Sequence, residues 1–168
     1  MNKAINSPGA VRMAMTTALL LSLLVLMIAG PAREGSARNN SGGDMPTDLN
    51  GPLVKISFGP DELFIRMHDN PTSRDFLKLL PLSLTLEDYN RTEKISTLPR
   101  KLATQDAPGG CDPSVGDFTY YAPWGNLAIF YRDFRYSNGL IILGRIESGV
   151  EKLAMERGDF DVRLELVE

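Results

Sequence analysis

The segment Leu82-Ser83-Leu84-Thr85-Leu86-Glu87 places a leucine at every second position and a polar residue between. A strand repeats every two residues, so this segment is a strand with one buried face, and it requires a sheet around it. The chain supplies partners. Leu53-Val54-Lys55-Ile56-Ser57-Phe58 alternates, Gly59-Pro60-Asp61 turns, and Glu62-Leu63-Phe64-Ile65-Arg66-Met67 runs back, which predicts a hairpin. Further strands are expected over residues 117–121, 126–131, 140–146 and 160–166, with a turn at Ser137-Asn138-Gly139. Asn70-Pro71 predicts a helix start, because Asn caps and Pro is tolerated in the first turn. Phe76, Leu77, Leu79 and Leu80 give that helix its apolar face and Pro81 ends it. A second short helix is expected over residues 148–153.

Seven short strands and two separated helices favour a closed or nearly closed antiparallel barrel, which removes vulnerable sheet edges. Residues 89–116, with Pro99, Pro108, Gly109, Gly110 and Pro113, have no clear period. A loop that long in a small domain is functional or carries short turns.

The N-terminus has a different character. Lys3 and Arg12 precede an uninterrupted apolar run over residues 13–30, the layout of a secretory signal peptide or an uncleaved signal anchor. The run is just long enough to span a bilayer. Pro31 blocks cutting at its end, while Gly35-Ser36-Ala37 offers small residues further on, so both readings stay open. Either way, positive charge ahead of the run predicts that the C-terminal domain faces outward, in the periplasm or beyond. The expected organisation is a signal peptide or anchor over 1–30, a flexible linker over 31–52 and a barrel domain over 53–168. The linker is rich in Gly, Ser, Asn and Pro and cannot repay the entropy of ordering itself.

Composition excludes several classes. Beyond residue 37 the chain holds 15 basic and 20 acidic side chains, which is no footprint for nucleic acid. One histidine, one cysteine and dispersed carboxylates give no metal-ligand spacing, and no cofactor is expected. Cys111 stands in a Gly- and Pro-rich loop far in sequence from His68, the only histidine, and is read as a surface thiol without a role. The sequons at Asn39 and Asn90 are patterns common by chance.

The order of these elements, with Gly116-Asp117-Phe118-Thr119 and the segment from Gly139-Leu140-Ile141-Ile142 through Ser148-Gly149, resembles that of a cyclophilin. More closely, Asp69-Asn70-Pro71-Thr72, Glu93-Lys94-Ile95, Leu98-Pro99-Arg100-Lys101-Leu102 and Tyr120-Tyr121-Ala122-Pro123-Trp124-Gly125-Asn126-Leu127 resemble the small bacterial cyclophilin-like proteins. The resemblance spans roughly residues 53–168 and implies a closed eight-stranded antiparallel barrel capped by two short helices. It does not carry over the prolyl isomerase chemistry, because the Phe-His-Arg segment of true cyclophilins is missing.

The candidate groove lies near the loop from Tyr89 to Arg100 and the hairpin from Tyr120 to Phe130. Its candidate residues are Tyr89, Arg100, Tyr121, Trp124, Asn126 and Phe130. The expected role is a non-catalytic binding module for a peptide or small molecule. The alternative is a weak peptidyl-prolyl isomerase, in which Arg100 would polarise an amide whose rotation barrier is ~20 kcal/mol. A structural envelope protein without a groove ligand is a third reading. Asp117 is read as a loop cap and Asn126 as a residue that fixes its turn.

Overall fold

A computed structural model describes residues 51–167. The apolar run over 13–30 and nearly all of the linker lie outside the described residues. Among the described residues, no helix is long and apolar enough to cross a membrane.

The elements follow the order β1 (Leu53–Phe58), β2 (Asp61–Met67), α1 (Pro71–Leu77), β3 (Leu82–Tyr89), β4 (Glu93–Thr97), β5 (Gly110–Cys111), β6 (Asp117–Tyr121), β7 (Asn126–Phe130), β8 (Ser137–Asn138), β9 (Leu140–Ile146), α2 (Val150–Met155) and β10 (Phe160–Leu166). Eight strands close into a barrel in the order β1-β10-β3-β4-β7-β6-β9-β2, and β5 and β8 pair in a separate small sheet. Every pairing is antiparallel. The expected closed barrel with two helices is therefore the observed fold.

The interior is filled by inward residues of the alternating strands. Val54, Ile56, Leu63, Ile65, Met67, Leu86, Phe118, Leu127, Ile129, Leu143, Val162 and Leu164 are at most 3% exposed. The helices sit at opposite ends, because β2 runs from the α2 end, where Leu63 packs on Gly149, to Met67 beside α1. Asn70 caps α1 as expected, its Oδ1 accepting from the Ser73 N–H at 2.8 Å. Its Nδ2 donates to the Ile142 carbonyl at 3.0 Å, and the Ser73 hydroxyl donates to the Leu143 carbonyl at 2.8 Å. These bonds fix α1 across β9 and bring Phe76 edge-on to Phe118, centroids 5.2 Å apart. At the other end α2 buries Leu153.

Three elements differ from expectation. The 89–116 stretch contains β4, the eighth barrel strand, and β5. The strand is hidden because its pattern is inverted: Lys94 and Ser96 pair with the inward Ile129 and Leu127, while Ile95 pairs with the outward Ala128. Ser137 and Asn138, expected as part of a turn, instead form β8 against Cys111 and Gly110. Finally, α1 ends at Leu77, and Leu79 and Leu80 contribute apolar packing from the turn after it.

Lys94 is fully buried in the barrel. Its ammonium donates to Asp88 Oδ2 at 2.9 Å and to the Glu156 carbonyl at 2.8 Å, and lies 5.6 Å from the ring centres of Tyr131 and Phe160. The Tyr131 hydroxyl donates to the same Asp88 oxygen at 2.7 Å. Burial raises the Asp88 pKa, but the Lys94 and Tyr131 bonds outweigh it and hold the carboxyl below its ordinary range.

Candidate functional site

A recess of about 260 Å³ opens on the outer wall of the barrel. Its floor follows from strand alternation. Register sets Glu93 opposite Phe130, Ile95 opposite Ala128 and Thr97 opposite Asn126, and on the next strand Tyr121 lies opposite Asn126. Leu140 of β9 pairs with Tyr121 and completes the row. Ile95, Ala128, Phe130 and Leu140 pack together as a second apolar cluster, with Tyr89, Tyr121 and Cys111 around it. The barrel wall thus has an apolar face on each side, where an ordinary antiparallel wall would be polar outside.

The walls are aromatic. Trp124 leaves the turn between β6 and β7, in which Gly125 takes φ +76°, a conformation that disfavours any residue with a Cβ. The indole meets Tyr121 edge-on at 5.4 Å between centroids and Tyr89 edge-on at 5.8 Å. Trp124 is nevertheless 59% exposed, which is a large apolar surface to leave in water. On the far side Phe134 stacks on Phe130 at 6.3 Å, and the Arg135 guanidinium lies 5.5 Å from the Phe134 ring. An adjoining recess shares Tyr89, Ile95, Trp124 and Asn126 and adds Glu87, Asp88 and Thr97.

Tyr89, Tyr121, Trp124, Asn126 and Phe130 all line the recess, as the sequence suggested. Arg100 does not. After β4 the chain turns over the α1 end of the barrel, burying Leu98 and Leu102, and Arg100 meets α1 there. It grips Asp75 through Nη1 at 2.7 Å and Nη2 at 3.0 Å, and the Ala103 N–H donates to the same carboxylate at 2.9 Å. The Arg100 and Ala103 bonds hold the Asp75 carboxyl far below the usual range. Arg100 is a loop anchor, and the guanidinium beside the recess belongs to Arg135.

Two polar groups in the recess carry features that residue patterns did not reveal. Glu93 is half-buried, and burial pushes its carboxyl up to about 7. Asn126 is 4% exposed; its Nδ2 donates to the Leu127 carbonyl at 2.9 Å, but its Oδ1 has no donor. A buried acceptor left unpaired is uncommon and costly. Glu93 was visible in sequence only as the neighbour of Lys94, and its significance depends on a strand that the pattern concealed.

The remaining candidates lie outside the lining of the recess. Asp117 Oδ2 accepts from the Ser114 N–H at 2.7 Å and its Oδ1 from Arg145 at 2.7 Å, so it caps its loop. Burial, helped by the charges of Asp117 and Asp112, drives the Cys111 thiol up to about 12, which leaves almost no thiolate at neutral pH. His68 comes directly after β2, its backbone N–H donating to the Leu143 carbonyl at 2.8 Å, and does not line the recess. Among the described residues, no group of three or more His, Cys, Asp or Glu side chains could hold a metal ion.

A closed eight-stranded antiparallel barrel with two helices has the architecture of a cyclophilin-like domain. The model of the Cyclophilin-like family matches residues 56–165, and the chain belongs to that family. The solution structure of a hypothetical protein from Archaeoglobus fulgidus is similar in fold, with a TM-score of 0.54 at 18% identity, covering 70% of this chain and 95% of that one. No curated protein matches the sequence significantly.

Proposed function

We propose that this cyclophilin-like domain is a non-catalytic binding module that takes a peptide or small molecule into the outer-wall recess. One observation carries the reading: five side chains from β3, β6, β7 and the β6–β7 turn converge on a recess with an apolar floor, and Trp124 is held there half in water. Such a concave surface, largely apolar with a few polar groups, is the usual form of a ligand site.

The apolar run over 13–30 supports placing the domain outside the cytoplasm, exported or tethered to the membrane. A reporter fused after Glu168 that works only outside the cytoplasm tests this, and activity solely in the cytoplasm would sink it.

Weak peptidyl-prolyl isomerase activity is the second reading, favoured by the Arg135 guanidinium on the recess. Trp124 is the only tryptophan, so its fluorescence reports on the site directly. Full-length protein in detergent is titrated with proline-containing peptides and small aromatic compounds, and assayed in parallel for isomerisation of a Xaa-Pro peptide. Saturable fluorescence change without turnover supports the binding module. Turnover abolished by Arg135→Ala would replace it with the isomerase, and absence of both would sink both.

A further inference from the structure

The polar lining of the site is one-sided. Glu87, Asp88 and Glu93 line the recess and its adjoining pocket, and among the described residues Arg135 is the one basic side chain there. Asp88 is already satisfied by Lys94, Tyr131 and the Arg91 N–H. Glu93 has no such partner: among the described residues its carboxyl makes no hydrogen bond or ion pair, and Arg135 is not within ion-pair distance of it. The other orphan, Asn126 Oδ1, is also an acceptor. The two vacancies on the less exposed part of the lining therefore ask for a donor, and one of them for a cation. Among the lining donors, the Arg135 guanidinium and the Trp124 indole N–H belong to exposed side chains.

The rings ask for the same. Tyr89 lies directly opposite Glu93 across the β3–β4 ladder, and Trp124 meets Tyr89 edge-on. A carboxyl on the same wall as tyrosine and tryptophan rings is an arrangement that attracts an organic cation, through the ring quadrupole and through direct charge. An anion would be repelled by Glu93, and a neutral apolar molecule would leave that carboxyl unpaired in a drier site. The recess holds about 260 Å³ and the adjoining pocket about 380 Å³, room for a small ammonium group alone or for one carried on a larger ligand.

Building on the binding-module reading, we infer that the recess recognises an organic ammonium group, held over Trp124 and Tyr89 with Glu93 as its counter-charge. The group is a free amine or alkylammonium, or such a group on a larger ligand. Charge repulsion at the rim from Arg135 is modest, because that side chain is solvent-exposed and screened. Burial keeps Glu93 partly protonated at neutral pH, so the cation binds by displacing a proton.

The test uses the full chain in detergent at fixed ionic strength, with choline and butylammonium as probes. The control is 3,3-dimethyl-1-butanol, which has the shape of choline without its charge. A neutral proline-containing peptide serves as the probe of the parent reading. Binding is followed by Trp124 fluorescence and by calorimetry in two buffers of different ionisation enthalpy at pH 6.5. The expected result is saturable binding of a cationic probe, at least about tenfold tighter than the alcohol, with net proton release. Glu93→Gln should abolish the proton release and weaken cation binding about tenfold, and Tyr89→Leu should weaken it while leaving proton release intact. Equal binding of alcohol and choline, or binding of the peptide alone, overturns the cation inference and leaves the binding module standing. If no probe binds, both fall.

Discussion

Glu93 and Arg100 sit seven residues apart and are charged, yet they have opposite fates. Glu93 faces outward from β4 between Tyr89 and Phe130, where the apolar wall strips water from its carboxyl. The unfolded chain releases this proton near the ordinary 4.5 and the folded chain near about 7. Between those values the folded state holds more protons, so stability falls as pH climbs from about 4.5 to about 7 and is level above. The loss is on the order of 2–3 kcal/mol. The other titratable side chains lining the recess are Tyr89, Tyr121 and Arg135. Glu93→Gln is expected to flatten this part of the profile and to raise stability at pH 8, as read by urea unfolding at several pH values. A variant as pH-sensitive as the parent would contradict the assignment. Arg100, in contrast, is tied to Asp75 on α1 and takes no part in the recess. Arg100→Ala should therefore lower the thermal midpoint while leaving ligand titrations of Trp124 unchanged; weakened binding without loss of stability would argue the reverse. Three members of the recess were legible in the sequence because Tyr121, Trp124 and Asn126 fall within one hairpin. Arg100 misled because its partner, Asp75, lies on a helix that no local pattern places beside it.

At the scale of elements, β4 is the instructive strand. Strands β1, β2, β3 and β10 were legible because apolar and polar residues alternate with the core on one side. In β4 the inward positions hold Lys94 and Ser96, and the outward ones Glu93, Ile95 and Thr97, so the pattern reads as a loop. The barrel accepts Lys94 because Asp88 on β3 and the carbonyl at the end of α2 accept two of its three N–H bonds, with the rings of Tyr131 and Phe160 beside the ammonium. A lysine taken from water without such partners would not stay charged. Lys94→Ala removes the cation, leaves a cavity and frees the Glu156 carbonyl, and is expected to cost about 3–5 kcal/mol. Lys94→Met keeps the length of the side chain, and Asp88 retains the Tyr131 hydroxyl and a solvent-facing edge. Its cost should be smaller by about 2 kcal/mol or more. Paired chemical denaturation of the two variants checks this. If methionine proved as damaging as alanine, the ion pair rather than the packed stem would be holding β4 in the wall.

On the scale of the whole molecule, the barrel is closed by the two strands furthest apart in sequence. β1 is bonded to β2 on one side and to β10 on the other, with Val54 opposite Leu166 and Ser57 opposite Arg163. β10 in turn carries β3, with Phe160 opposite Leu86 and Leu164 opposite Leu82. The last strand thus joins the first hairpin to the wall that holds the recess. Alternation made each of these strands visible singly, but nothing local says that the first and last are neighbours. That follows only from the need of a closed sheet to leave no edge. Stability should be shared accordingly. Removing Phe160–Leu166 exposes two edges and uncovers the inward faces of Ile56 and Leu86, in addition to losing Val162 and Leu164 from the core. A chain ending at Asp159 is expected to lose the fixed environment of Trp124 together with the barrel, although no recess residue has been deleted. The near-ultraviolet circular dichroism and the fluorescence maximum of Trp124 read this out in the β6–β7 turn, on strands that do not pair with β10. A truncated protein with native tryptophan signals would mean that β3, β4, β6, β7 and β9 hold the recess without closure, and the site would then be a property of one wall. Loss of those signals on truncation, with the Val162→Ala and Leu164→Ala variants each costing about 1–5 kcal/mol and unfolding in a single transition, would make the recess a product of the closed barrel.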